Sequence, residues 1–363
     1  MEVLVHINAS EDETADIKNA NAALHEQLMA WIESHQDEKL RFFALFDNAL
    51  PAKKAGVGLA RKIAMDEAVA RFDAIGVDGT IVCLDADTTC QPNYLESIHR
   101  HFSLHTSSPA ASIHFEHPLN GAEFESSVYE GIVRYELFLR YFRHALRFVG
   151  HPHSIYTVGS AMVVRSSAYQ KQGGMNKRQA GEDFYFLQKM MPLGGFSEII
   201  DTTVYPSPRP SDRVPFGTGR AISKWLNEEN DAYLTYDLNS FLVLKPFFEQ
   251  TTFFYSASEV EMESQIQSYA PALKAFLTNE RAVKKMVEVR ANCRDQGSFE
   301  KRFFLWFNGF VVLKYMHFAR DGYYPLKSLL PEASILLETM NEKGSGGSPR
   351  ELLNTFRILD KKA

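Results

Sequence analysis

The first third of the sequence alternates between short β-branched runs and longer amphipathic segments, and this alternation limits the folds open to the chain. Strands are predicted at residues 3–7, 40–46 and 80–84. The first intervening helix is predicted to begin at a capping box formed by Ser10 and Glu13, and the second spans residues 56–72. Short connections between alternating elements imply right-handed crossovers and a parallel sheet.

Beyond residue 109 the alternation loosens and then gives way to helices. Further strands are predicted at 110–115, 156–164 and 197–204, and further helices at 125–149 and 182–191. The sequence therefore predicts an α/β, Rossmann-like fold with a mainly parallel sheet flanked by helices and a helical C-terminal extension. The predicted division is a first domain over 1–205, a mobile loop or linker over 206–230 and a helical, aromatic-rich region over 231–363.

Composition excludes several classes of protein. The 363 residues carry 39 Lys and Arg against 45 Asp and Glu, a net charge of −6, which argues against a nucleic-acid-binding protein. The three cysteines form no disulfide framework, which favours a reducing compartment. The most apolar stretch, 303–318, is interrupted by polar residues and too short to span a bilayer. We expect a cytoplasmic protein, with peripheral contact at the inner face of a membrane as the alternative.

The triplet Asp85-Ala86-Asp87 follows directly on the third predicted strand. Residues i and i+2 of an extended backbone point to the same side, so both carboxylates can face one site. Open α/β sheets bind ligands at the carboxyl ends of their strands. Carboxylate oxygens without nearby His or Cys suit Mg²⁺ or Mn²⁺, particularly with a diphosphate completing the coordination. The alternative is that Asp87 caps the helix beginning near Pro92.

A second acidic pair, Glu182-Asp183, stands at the start of a predicted helix. A carboxylate at a helix N-terminus is stabilised as the anion, so Asp183 can accept a proton from a hydroxyl group. The alternative is a capping role in the first helical turn.

Two further stretches are candidates for binding an anion. Gly56 at a helix start, with Arg61 nearby, favours a phosphate, although the run lacks the P-loop pattern and a solvated basic face is the alternative. The loop 209–220 carries Arg213 and Arg220 among glycines and prolines, typical of a lid that closes over a diphosphate. Its alternative is an exposed linker.

In this order, the motifs resemble those of the family 2 glycosyltransferases with the GT-A fold, over residues 1–205. The stretches that carry the resemblance read AGVGLAR at 55–61, LDAD at 84–87, GSAMVVR at 159–165, GGM at 173–175 and GED at 181–183. The resemblance implies a GT-A-like fold and transfer of a sugar from a nucleoside-diphosphate sugar, with a UDP-sugar favoured. The implied acceptor is a hydroxyl group of a glycan or lipid-linked saccharide.

The resemblance also assigns roles residue by residue. Asp87 is implied as the main ligand of Mn²⁺ or Mg²⁺, Asp85 as a ribose or metal contact beside Ala86, and Asp183 as the general base next to Glu182. A direct displacement at the sugar implies inverted anomeric configuration.

The resemblance also implies which residues contact the base of the nucleotide. Asn8 and Ala9 are implied as base contacts, and Asp47 as the residue that reads uracil. The first loop departs from the family's usual P-x-Y-N-E, and Asp47 is also suited to start a turn. The Q-x-x-R-W motif of processive synthases is absent, which favours a single transfer.

Two other functions stay open at this point. A sugar nucleotidyltransferase also uses paired carboxylates and Mg²⁺, but it calls for a glycine-rich loop after the first strand, which residues 8–13 do not supply. A catalytically silent protein that binds a sugar nucleotide or a glycan is the second alternative. The sequence does not specify the sugar or the oligomeric state.

Two late features have structural interpretations. His151-Pro152-His153 is predicted to be a surface turn rather than a metal pair. The aromatic helix predicted over 299–320 is apolar nearly all round, which is typical of a buried helix. A surface for the acceptor or a partner is the first alternative for this helix, and a monotopic membrane contact is the second.

Overall fold

The computed structural model describes residues 1–178, 180–212, 217–227, 233–344 and 346–362. The chain forms two compact units. The first consists of Met1–Phe115, Thr157–Ser207 and Ser211–Arg220, and the second of Glu116–Tyr156, Pro208–Pro210 and Ala221–Ala363. This grouping differs from the linear division at 1–205, 206–230 and 231–363, because residues 116–156 pack with the C-terminal helices.

Strands and helices alternate in the first half of the chain, and helices dominate the second. The strands are β1 (Glu2–Ser10), β2 (Arg41–Leu50), β3 (Thr80–Cys83), β4 (Thr89–Cys90), β5 (Ala110–Phe115), β6 (Met162–Arg165), β7 (Ser197–Tyr205), β8 (Leu234–Thr235) and β9 (Lys327–Ser328). The helices are α1 (Ala15–His35), α2 (Val57–Ala74), α3 (Tyr94–Leu104), α4 (Ser126–Phe148), α5 (Ser166–Lys171), α6 (Glu182–Met190), α7 (Thr218–Asn227), α8 (Leu238–Leu242), α9 (Lys245–Phe248), α10 (Thr251–Ser256), α11 (Glu259–Ser268), α12 (Pro271–Asn279), α13 (Ala282–Ala291), α14 (Gln296–Trp306), α15 (Gly309–Gly322), α16 (Leu329–Thr339) and α17 (Pro349–Asp360).

The first unit contains two sheets. β1 and β2 pair in parallel, and within the described ranges five strands form a second sheet in the order β3-β6-β5-β7-β4. In that sheet β5 and β7 are parallel, whereas β6 is antiparallel to both β3 and β5. The predicted α/β class, with a sheet between helices and a helical C-terminal region, is confirmed, but the strand pairing is mixed rather than mainly parallel.

The beginning of the chain differs from the sequence-based prediction. β1 extends to Ser10, whose Oγ accepts a hydrogen bond from the Asp12 amide. The cap of α1 is Thr14, which accepts from the amide of Ile17, so the predicted capping box at Ser10 is wrong. β2 extends to Leu50 because its pairing with β1 continues past the predicted turn.

The second unit is built around α4, which is buried over most of its surface. Leu137, Tyr141 and Ala145 of this helix are fully buried in one core with residues of the C-terminal helices. The aromatic stretch forms two helices instead of one, because Asn308 ends the first segment and caps α15 by accepting from the amides of Phe310 and Val311. Its buried interpretation is confirmed, since Phe299, Phe303, Phe307 and Tyr315 are fully buried.

His151 contradicts the prediction of a surface turn. Its side chain is buried, and Nε2 donates a hydrogen bond to the backbone oxygen of Phe307 at 2.8 Å. Burial lowers the pKa of His151 to about 4, so the ring is neutral at physiological pH. Within the described ranges, no helix combines the length and hydropathy needed to cross a bilayer.

Candidate active site

The N-terminus of α2 is shaped by two glycines. Gly56 precedes the helix with φ of +152°, a conformation that side chains disfavour. At Gly58, an added Cβ would lie 2.3 Å from the backbone oxygen of Arg178. The helix start therefore packs directly on the loop that leads to α6, and this packing requires no side chain at position 58.

Arg61, near the start of α2, links two of the predicted acidic motifs. Its Nη2 donates to Oδ1 of Asp85 at 2.5 Å, and its Nη1 donates to Oε1 of Glu182. Only 12% of the Arg61 side chain is exposed. The guanidinium also packs against the backbone of Gly159, where an added Cβ would lie 2.2 Å from Nη1. We call this cluster of Arg61, Asp85, Gly159, Glu182 and Asp183 the Arg61 centre.

The fold brings these residues together from four separate segments. Asp85 follows the end of β3, Gly159 opens a short 3₁₀ turn (Gly159–Ala161) that leads into β6, and Glu182 begins α6. Gly181 before the helix has a left-handed φ of +67°, which places the acidic pair in the first helical turn. Four of the five stretches that carry the family resemblance thus contribute to one cluster.

Burial and charge act in opposite directions on the ionisable groups of this cluster. For Arg61, burial acts to lower the pKa, but Asp85 and Glu182 raise it above the ordinary value, so the guanidinium stays charged. Burial raises the pKa of Glu182 against the opposing effect of Arg61. Burial and the adjacent Glu182 raise the pKa of Asp183 to about 7. Asp183 therefore changes its charge near neutral pH.

The loop after β3 carries the carboxylates of Asp85 and Asp87, which differ in their exposure to solvent. Asp85 is 43% exposed at its side chain, and its backbone oxygen accepts from the Thr88 amide to close a turn. Ala86 and Asp87 within that turn are exposed. These carboxylates follow the end of β3, and both side chains are accessible to solvent.

A divalent cation such as Mg²⁺ requires oxygen ligands around it. Across the described residues, no three His, Cys, Asp or Glu side chains gather as a metal site. Exposed carboxylates at Asp85 and Asp87 would leave the remaining coordination positions to diphosphate oxygens and water, which is how Mg²⁺ is commonly held. The residues fit a cation that binds together with a diphosphate.

The candidates for contact with a nucleotide base lie on β1 and β2. Asn8 and Asp47 are directly opposite each other in the parallel register, and Ala9 is buried beside them. Asp47 Oδ1 accepts from the Ala49 amide at 3.0 Å. The structure places Asn8, Ala9 and Asp47 side by side, and their role in base binding stays a prediction.

The arginine-containing loop is only partly described. Arg213 lies outside the described residues. Arg220, the third residue of α7, forms an ion pair with Asp212, and both side chains are exposed. The Ser211 amide donates to the Gly219 backbone oxygen, which joins the two ends of the loop.

Sequence reasoning missed two contacts around this site. It treated Arg61 as a candidate phosphate ligand and did not anticipate its bonds to Asp85 and Glu182. It also missed the position of Arg178, whose guanidinium lies 3.4 Å from the ring centroid of Tyr185 on α6. The signal available for Arg61 was its place in a helix-opening motif followed by separate acidic motifs.

An α/β fold with carboxylates at a strand end and an acidic pair at a nearby helix N-terminus has its acidic groups where open α/β sheets bind ligands. A family model described as "Glycosyl transferase family group 2" matches residues 80–226, which include the aspartates of both acidic motifs. The match confirms the resemblance to family 2 glycosyltransferases over these residues and supports a glycosyltransferase enzyme.

No curated protein matches this chain in sequence. Among solved structures, S. aureus TarS 1-349 aligns over 90% of this chain and 93% of that chain, with 13% identity and a TM-score of 0.36. A likeness this low carries no argument about fold or function.

Proposed function

We propose that this protein transfers a sugar from a nucleoside-diphosphate sugar, with a UDP-sugar favoured, to a hydroxyl group of an acceptor in a single, metal-dependent, inverting step. The observation that supports this most is the joint bonding of Asp85 and Glu182 to the Arg61 guanidinium, with Asp183 adjacent. Through these bonds the Asp85 motif, which we assign to the metal and diphosphate, lies beside the Glu182-Asp183 pair, which we assign to the base.

Asp183 is the general base in this proposal. Glu182 is bonded to Arg61 and buried, whereas Asp183 is partly exposed and can meet a hydroxyl group. A carboxylate with a pKa near 7 is ionised in a large fraction at neutral pH and still has appreciable affinity for a proton. As the acceptor oxygen attacks the sugar from the face opposite the diphosphate, Asp183 takes its proton, and the product has inverted configuration.

Asp87 and Asp85 would hold Mn²⁺ or Mg²⁺ in this proposal. A divalent cation, when bound, neutralises negative charge on the leaving diphosphate. Asp85 is also bonded to Arg61, so Asp87 is the residue we assign as the main ligand. Asn8, Ala9 and Asp47 contact the base, and Gly56 and Arg220 contribute on the diphosphate side. The acceptor we propose is a glycan or a lipid-linked saccharide.

Replacement of Asp183 tests the chemistry. We expect D183N to lower turnover about 1,000-fold, because a general base is worth that order of rate, while UDP binding is retained. Turnover is measured as UDP release from a panel of UDP-sugars with MnCl₂ and a mixture of glycosides, and binding by calorimetry with UDP. D321N, which changes an exposed aspartate on α15, serves as the control.

Two results would contradict this proposal. One is full turnover in the D183N variant. The other is a wild-type protein that releases pyrophosphate from a nucleoside triphosphate and a sugar phosphate, which is nucleotidyl transfer.

Replacement of Asp87 tests the metal. We expect D87A to abolish the strengthening of UDP binding by MnCl₂, because the cation loses its main protein ligand. Calorimetric titration of UDP with and without MnCl₂ measures the effect, and E96A, an exposed carboxylate on α3, is the control. An unchanged dependence on Mn²⁺ in D87A would remove this residue from the metal site.

A further inference from the structure

We propose that Arg61 is a positioning residue that sets the separation between the donor-side carboxylate of Asp85 and the acceptor-side carboxylate of Glu182, with Gly159 keeping its guanidinium in place. This inference rests on the proposed glycosyltransferase function of the site. It replaces the expectation that Arg61 binds the diphosphate directly.

The bonds of Arg61 are the first reason. Each terminal nitrogen donates to a different carboxylate, Nη1 to Glu182 and Nη2 to Asp85. The side chain is 12% exposed, so little of its charge is accessible to a diphosphate. A planar guanidinium bonds its partners in a fixed geometry, which makes it suited to hold acidic groups at a set distance.

The close contact with Gly159 is the second reason. An added Cβ at this position would lie 2.2, 2.4 and 2.5 Å from Nη1, Nη2 and Cζ of Arg61. The whole terminal group therefore packs against the backbone of a buried residue. Any side chain at position 159 would push the guanidinium away from its carboxylate partners.

The charges around Arg61 are the third reason. The carboxylates of Asp85, Glu182 and Asp183 all interact with this guanidinium. Removal of the positive charge would leave Glu182 buried without a counter-charge, which is costly. A lysine at position 61 would keep the charge but has a single nitrogen and cannot reproduce two fixed bonds. R61K therefore changes geometry at constant charge.

The first test separates positioning from diphosphate binding. We expect R61K to lower kcat for UDP release about 100-fold, the cost of a small misplacement, with the UDP dissociation constant in MnCl₂ unchanged. The control is R71K on the same helix, since Arg71 also joins two carboxylates, those of Glu2 and Glu67. A UDP dissociation constant that rises in proportion to the loss of kcat/KM would show a diphosphate ligand and overturn the proposal.

The second test uses Gly159. We expect G159A to reproduce the loss of kcat seen in R61K, and to add little in the R61K background, because lysine lacks the guanidinium atoms that the new methyl group would strike. G322A is the control, since nothing lies near an added Cβ at Gly322. Fully additive losses in the double variant would overturn the coupling.

The free energy of unfolding of R61K, G159A and the double variant is also measured by denaturant titration, which needs no substrate. A wild-type protein that neither binds UDP nor consumes any UDP-sugar would contradict the proposed function. Non-additive unfolding free energies for R61K and G159A would still support the contact, and additive ones would overturn it.

Discussion

Asp183 shows how position changes the chemistry of one residue. In a protein, burial disfavours the ionised carboxylate, and the neighbouring charge of Glu182 adds to the effect. Arg61 opposes both effects but does not cancel them, and the pKa of Asp183 is about 7 instead of the ordinary 3.8. Glu182 next to it is bonded to Arg61. Two adjacent acidic residues thus acquire different roles from their surroundings.

This pKa predicts the pH dependence of turnover. Below about 7 Asp183 carries a proton and cannot accept another, so kcat should rise with pH through neutrality and level off above it. UDP release at saturating donor, in buffers of constant ionic strength, measures the profile. The D321N variant should follow the wild-type curve. A flat profile through neutrality would exclude Asp183 as the base.

At the scale of single elements, α17 is held to α4 by buried ion pairs. Asp360 accepts hydrogen bonds from Arg140 and Arg143 of α4 and from the hydroxyl group of Tyr156. Asp360 also accepts a hydrogen bond from Nε2 of His144. Burial and the nearby arginines lower the pKa of His144 to about 3. A neutral histidine therefore lies among charged groups, and Asp360 supplies negative charge to two buried arginines.

Removal of the Asp360 carboxylate should destabilise the fold. D360A leaves the guanidinium groups of Arg140 and Arg143 short of a buried counter-charge, and we expect the free energy of unfolding to fall by about 3–5 kcal/mol. Denaturant titration followed by circular dichroism measures the change. The control D321A removes an exposed aspartate and should shift stability by less than about 0.5 kcal/mol. Equal effects of the two variants would contradict this account.

At the scale of the whole molecule, each compact unit is assembled from segments that are separate in sequence. Residues 116–156 belong to the unit that is completed by 221–363. α4 buries its apolar side chains, Leu137 and Tyr141 among them, in the core that contains Phe241, Phe276 and Phe356. A cut between the predicted first domain and the C-terminal region would therefore divide one hydrophobic core.

We expect a fragment of residues 1–227 to aggregate, since the apolar face of α4 loses the helices that cover it. Expression beside the full chain, with size-exclusion chromatography of the soluble fraction, measures this. The same fragment carrying L137K should be more soluble, because the charge interrupts the exposed apolar face. A monodisperse, cooperatively unfolding 1–227 fragment would show that α4 does not need the C-terminal helices.

The elements predicted from periodicity agree with the structure where the signal is local. The strand at 110–115 has the predicted bounds, and the helix predicted at 182–191 ends one residue earlier. The end of β2 was missed because Asp47 and Asn48 favour turns, whereas pairing with β1 keeps them extended. His151 was missed because nothing near it in the sequence indicates the carbonyl of Phe307 that it bonds.

The sequence by itself determined the class of fold and the acidic motifs, because hydrophobic period, helix starts and short motifs depend on neighbouring residues. Only the tertiary structure decided what Arg61 bonds, why position 159 has no side chain and which helices share a core with α4. These depend on contacts between residues far apart in the chain, whose geometry comes from the packing of complete elements.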